Sequence, residues 1–197
     1  MDPGKQPLAD FIRNNTPQLP VVAEVLEAIV EPFEERSYSK GDLLLQAGRV
    51  SGYHYVHSGY LRAFTHDPEG NEVTTYFYPA GRVAFDPPSF FFGQPSLENH
   101  QALSDCHCYY INFEQLNRLF HALPVAREFG RAMLVREFTL YKQRSLAMIH
   151  QRAEERYAHL LATQPDVFQH AQLKQIASFL GVTDSSLSRI RREFAGK

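Results

Sequence analysis

Arg189 and Arg192, one helical turn apart and flanked by Ser185 and Ser188, are the residues of this chain best suited to chemistry with a partner. At about 100° per residue these four share one side of a helix, while Leu187, Ile190 and Phe194 share the other. An arginine fork fits a guanine edge or a phosphate, and small serines let a helix approach a surface closely. The chemistry this predicts is recognition of DNA by a helix in the major groove. The candidate contacts are Lys174, Thr183, Asp184, Ser185 and Ser188, together with Arg189, Arg191 and Arg192. Arg189 is expected to be the main base reader, and Arg191 falls nearer the packed side of the wheel.

Such a face needs a support. Leu173, Ile176, Ala177 and Leu180 have the spacing of a helix packed on a core. Gly181 sits where the chain must turn, and Thr183 can accept from the free amides that open the second helix. Asp184 suits the positive end of that helix dipole. The segment thus predicts a helix-turn-helix.

The chain has 197 residues, of which 44% are hydrophobic, enough for a substantial core. No apolar run approaches the ~20 residues of a membrane span, and the N-terminus lacks a secretory pattern, so a cytoplasmic protein with no membrane partner is expected. Charge is unevenly spread. Residues 1–120 hold 8 Lys/Arg against 15 Asp/Glu, whereas residues 151–197 hold 7 against 5. Positive charge is displaced towards the segment expected to meet phosphate. The two cysteines, Cys106 and Cys108, would share one face of a strand with His107 on the other. They supply too few ligands for an ordinary metal or iron–sulfur site, and no metal is expected.

Residues 20–36, with Val21, Val22, Val25, Leu26, Ile29, Val30 and Phe33, read as an N-terminal helix. Between 38 and 111 short β-type runs are punctuated by glycines, and Asp67-Pro68-Glu69-Gly70-Asn71 is a hairpin-loop signal. Residues 113–123 predict a short helix, and Pro124 opens a long one. Leu134, Phe138, Tyr141, Ser145 and Met148 repeat within it at spacings of 4, 3, 4 and 3, which predicts a dimer seam. The alternative is that this stripe packs on the β domain. Residues 151–163 predict a further helix, and Gln164-Pro165-Asp166 a break. The fold class expected is α+β: an N-terminal antiparallel β-roll (jelly roll) with flanking helices, a long dimerisation helix and a C-terminal helix-turn-helix. The corresponding boundaries are 1–123, 124–150 and 151–197.

In that order these parts resemble the Crp–Fnr family of bacterial transcription regulators. The resemblance spans most of the chain and is carried by Lys40-Gly41-Asp42 to Gly48, by Val56-His57-Ser58-Gly59-Tyr60-Leu61-Arg62 and by the stretch from Gly181 to Ile190. It implies a homodimer on a two-fold symmetric DNA operator, with RNA polymerase as a further candidate partner. It also implies an effector pocket in the β-roll, where cyclic-nucleotide-binding members use a Gly-Glu pair for the ribose and an Arg-Ser pair for the phosphate. Here those places hold Phe85-Asp86 and Ser96-Leu97. A buried phosphate needs a charge-assisted partner that neither Ser96 nor Leu97 can supply, so cyclic AMP is not expected as a cofactor. Arg82, Asp86 and His100 remain as candidates for an unorthodox pocket, the plainer reading being that Asp86 caps a turn and His100 lies on the surface. At the family's base-reading positions Arg189 matches an arginine, while Asp184 and Ser185 replace an arginine and a glutamate. No wing of strands is expected after the second helix, which leaves more phosphate contact to Arg189, Arg191, Arg192 and Lys174.

A different class, a metal enzyme of cupin-like β-roll fold, would need clustered histidines and a carboxylate on strands. His54 and His57 are three apart and would face opposite sides of a strand, so no catalytic residue is assigned.

Overall fold

The computed structural model describes residues 2–16 and 22–195. A 3₁₀ turn, Pro3–Lys5, leads into α1 (Gln6–Asn14), which buries Leu8, Ala9 and Ile12 on one side, and α2 (Ala23–Val30) follows. The helix expected over 20–36 is shorter. It stops at Val30, just before Pro32, which cannot donate to a preceding turn, and Glu34–Tyr38 is already strand β1. Pro20 and Val21 lie outside the described residues.

The remaining strands are β2 (Leu43–Leu45), β3 (Tyr53–Ser58), β4 (Tyr60–His66), β5 (Glu72–Pro79), β6 (Val83–Ala84), β7 (Asn99–Ala102) and β8 (Cys106–Ile111). They form two four-stranded antiparallel sheets, ordered β1-β8-β3-β6 and β2-β7-β4-β5. The loop between β4 and β5 is the expected hairpin connection: the Asp67 amide donates to the Asn71 carbonyl at 3.0 Å, and the Asp67 carboxylate accepts from the Asn71 amide at 2.8 Å. Two elements of the roll left no clear trace in the sequence. One is the short α3 (Pro87–Phe92), and the other is β7, whose Asn99-His100-Gln101 has no apolar alternation.

After the roll come α4 (Phe113–Ala122), opened by a reciprocal cap between Asn112 and Gln115, and α5 (Pro124–His150), begun by Pro124. Then follow α6 (Ala153–Thr163), α7 (Val167–His170), α8 (Leu173–Leu180) and α9 (Asp184–Ala195).

Helix α5 has two faces with different fates. Ala126, Phe129, Gly130, Met133 and Glu137 are buried against the roll and α4. Gly130 has a specific reason: a Cβ there would meet the Phe120 ring at 2.4 Å, so only glycine allows α4 to lie this close. The helix therefore packs on its own chain through a face other than the Leu134–Phe138 stripe.

The roll packs on both sides. Val56, Leu61, Ala63, Tyr78 and Cys108 fill the space between the sheets. Side chains alternate along β5, so while Tyr76 joins that interior, Phe77 points the other way and meets Phe179 of α8 at 4.9 Å. Tyr60, Phe77 and Leu103 thereby share one core with Tyr157, Leu160, Ile176, Leu180, Leu187 and Ile190. Polar contacts fix the docking. The Thr74 amide donates to Ser178 Oγ at 3.1 Å, the Tyr60 hydroxyl donates to Gln164 at 3.2 Å, and Tyr60 stacks on His170.

Candidate nucleic-acid interface and effector site

Helix α8 ends at Gly181, whose φ of +66° is the left-handed conformation that glycine adopts without steric cost. Thr183 Oγ1 then accepts from the Ser186 amide at 3.3 Å, which caps α9 as the sequence predicts. Leu187 and Ile190 are completely buried, each stabilising the pair of helices by roughly 1.5–3 kcal/mol. Asp184, Ser185, Ser188, Arg189 and Arg192 are exposed together, and Lys174 is exposed at the start of α8. Arg191 is exposed as well, although the wheel puts it nearer the packed side. Leu173 departs from its stripe: as the first residue of α8 it has no turn before it to pack with, and it is 41% exposed. Arg189 has one weak tie, Glu193 at 3.8 Å with both side chains in solvent, and a pair of this kind contributes little.

The seam residues are divided. Leu134 is 40% and Phe138 72% exposed, and Ser145 is exposed. Tyr141 stacks on Tyr76 at 5.1 Å and is half-buried within its own chain. Met148 packs its Cε against Gly181 while part of its side chain stays in solvent.

The effector candidates do not converge on one point. Phe85 is core, and Asp86 stands at the start of α3 without making a side-chain cap; instead its amide donates to Ser51 Oγ. Ser96 is buried and turns its hydroxyl onto Glu98, accepting from the Glu98 amide at 3.0 Å, while Leu97 points into solvent. The surface reading of His100 is wrong. It is completely buried, 3.7 Å from Glu98 and beside the Tyr78 ring, because β7 runs between β2 and β4 rather than at an edge.

Arg82 has partners the sequence did not announce. It donates to the Tyr76 hydroxyl at 2.6 Å and to Glu137 of α5 at 3.2 Å. Burial pushes the Glu137 carboxyl up, and the Arg82 guanidinium opposes that shift. The signal for Glu137 lies in its spacing from Phe129 and Met133, which puts an acid on a buried helix face and so demands a cation. Glu137→Ala should cost about 3 kcal/mol by leaving that cation unpaired, and Glu137→Gln less, as urea unfolding would measure. If the alanine variant matches the wild type, the pair is not a tie between roll and helix.

Beside this pair lies a groove of about 220 Å³ lined by Tyr78, Val83, Phe85, Leu134, Phe138 and Tyr141. The ionisable groups in its wall are Glu137 and the two tyrosine hydroxyls, with no basic side chain among the described lining residues. Burial raises both tyrosines well above the usual phenol range, so they are neutral donors here.

His54 and Cys108 are both interior. His54 is buried, shares a hydrogen bond between Nε2 and the Tyr38 hydroxyl at 3.1 Å, and is lowered to about 3 by burial, then by His100 and Arg36. Burial pushes the Cys108 thiol up to about 12. No group of three or more His, Cys, Asp or Glu side chains among the described residues is arranged to hold a metal ion. The His54 shift has a measurable consequence. Below pH 6.5 the unfolded chain takes up a proton that the folded chain refuses until about pH 3. Stability should therefore fall by about 1.4 kcal/mol per pH unit within that window from this group alone. Urea midpoints at pH 6.5 and pH 4.5 check it: His54→Gln should flatten the slope, and an unaltered slope would refute the assignment.

Residues 35–122 match the family model described as a cyclic nucleotide-binding domain. No curated protein is significantly similar to the chain. Among solved structures, the chain is similar to FixK2 from Bradyrhizobium japonicum, with a TM-score of 0.69 and 19% identity over 83% of this chain and 85% of that one. It is similar to a putative transcriptional regulator of the Crp/Fnr family from Eubacterium rectale, with a TM-score of 0.69 and 16% identity over 89% and 84%. It is also similar to CLP of Xanthomonas campestris, described as a c-di-GMP-responsive global regulator, with a TM-score of 0.67 and 16% identity over 89% and 92%. These likenesses show the fold: an antiparallel roll followed by C-terminal helices, arranged as in those solved structures. Among the described residues no helix is long and apolar enough to cross a membrane.

Proposed function

We propose that this chain is a homodimeric, sequence-specific DNA-binding regulator of transcription whose β-roll lacks the contacts that hold a cyclic nucleotide. Its parts are a sensor domain (1–123), a dimerisation helix (124–150) and a DNA-binding module (151–197). The observation that carries the reading is the division of α9: Leu187 and Ile190 anchor it, and Ser185, Ser188, Arg189 and Arg192 are exposed together. Selection from random DNA tests it. A two-fold symmetric site should emerge, with half-sites about one helical turn apart and an affinity that falls steeply with salt. Recovery of no preferred sequence would defeat the proposal.

The loss of nucleotide recognition is supported by three features. Ser96 is committed to Glu98, Leu97 faces solvent, and Arg82 is engaged by Tyr76 and Glu137. A phosphate entering the groove by Tyr78 would meet a carboxylate rather than a guanidinium. A ligand at one hundred times its dissociation constant would stabilise the fold by about 2.7 kcal/mol. Millimolar cyclic AMP or cyclic GMP is therefore expected to leave the melting temperature and operator affinity unchanged. Stabilisation that vanishes in Asp86→Ala protein would reverse this.

A further inference from the structure

We propose that the cleft between α5, α6 and α8 is a binding site for a small organic monoanion with an apolar body, such as an amphipathic carboxylate. The cleft has a volume of about 530 Å³, within the range of small-molecule sites. Its apolar walls include Leu140, Ala147, Leu160 and Phe179, and its ionisable groups are Arg144, Arg156, His150, His159 and the Tyr76 hydroxyl. No aspartate or glutamate is among the described residues that line it.

Charge balance is what points to an anion. Arg144 donates to the Phe179 carbonyl at 2.9 Å and lies over the Phe179 ring. Arg156 donates twice to the Leu180 carbonyl, at 3.0 and 2.8 Å, and once to the Gln151 carbonyl. Those carbonyls are the ends of α8 and α5, each equivalent to roughly half a negative charge. Two guanidiniums against two such ends leave about one positive charge without a counterpart. Burial lowers Arg144 and the like charge of Arg156 lowers it further, with the Tyr141 and Tyr76 hydroxyls as the opposing groups. A guanidinium has five N–H donors, and most of those on Arg144 remain after its single carbonyl bond.

Position separates this cleft from the proposed seam and gives it leverage. Leu140, Arg144 and Ala147 lie roughly 120° around α5 from Leu134, Phe138 and Tyr141, so pairing through the seam leaves the cleft open. The two arginines hold the end of α8, which is joined to α9 through Gly181. An anion shared by them would tie α5 and α6 more firmly to the helix that aims α9.

The test is calorimetric titration of octanoate and 4-phenylbutyrate into the full chain, with 1-octanol as the uncharged control and without DNA, so that it stands apart from the regulator reading. Gln143 lines the cleft, is exposed and takes no part in the arginine contacts. Gln143→Glu should weaken carboxylate binding about tenfold and Gln143→Lys should strengthen it several-fold, as expected for a unit charge added near the anion. Either carboxylate binding with that charge order supports the site. Absence of heat at millimolar carboxylate, equal affinity in the two variants, or equal binding of 1-octanol would overturn it.

Discussion

Replacing Arg189 and Arg192 together with alanine should abolish selection of the operator while leaving the protein folded. Both side chains are in solvent, and the ion pair that Arg189 makes within the chain is the loose one with Glu193, so unfolding should be unchanged within about 0.5 kcal/mol. A well-placed arginine on a base edge is worth about 1–3 kcal/mol of discrimination. Losing both should cost about 2–6 kcal/mol, from about thirty-fold to about twenty-five-thousand-fold in affinity for the selected site. Arg189→Ala alone should relax preference at one position per half-site. Competition between selected and scrambled DNA measures both effects. An unchanged ranking in the double variant would mean that another surface reads the sequence.

The second large effect is on assembly. Leu134→Lys with Phe138→Lys should convert the proposed dimer into a folded monomer. Phe138 lies largely in solvent on α5 and Leu134 is 40% exposed, whereas Phe129, Met133 and Glu137 hold the same helix to the roll. The substitutions therefore spare the buried face and place charge on the stripe expected to meet a second copy. A monomer engages one half-site at a time, so operator affinity should fall by about a hundredfold or more. Sedimentation at micromolar concentration reads the first change and operator binding the second. Wild-type protein that sediments as a monomer would sink the idea.

Local patterns made much of this legible in the sequence. The division of α9 into Leu187 and Ile190 against the serine and arginine face follows from helical periodicity and needs no neighbour. The same holds for Gly181 at the turn, Thr183 at the cap, Pro124 at the start of α5 and the Asp67 loop. The order of these elements sufficed to suggest the fold class.

The tertiary structure alone decided what stands opposite each element. Periodicity gives the direction of a side chain on its own helix or strand, but not the surface it meets. Hence the stripe of Leu134 and Phe138 is legible in the spacing, while the surface that the face through Met133 and Glu137 packs on is not. Arg82 finds Glu137 fifty-five positions away, and Arg144 and Arg156 reach carbonyls of α8, which no spacing rule encodes. His100 reads as a polar residue in a polar stretch, yet strand order places it between two others in the interior. Burial is a property of the assembled layers. The sequence by itself determined the serine and arginine face of α9 and the succession of elements, because both rest on contacts within a few residues. Which ionisable groups are interior, and how α8 and α9 are held to the roll, depends on packing between segments far apart in the chain.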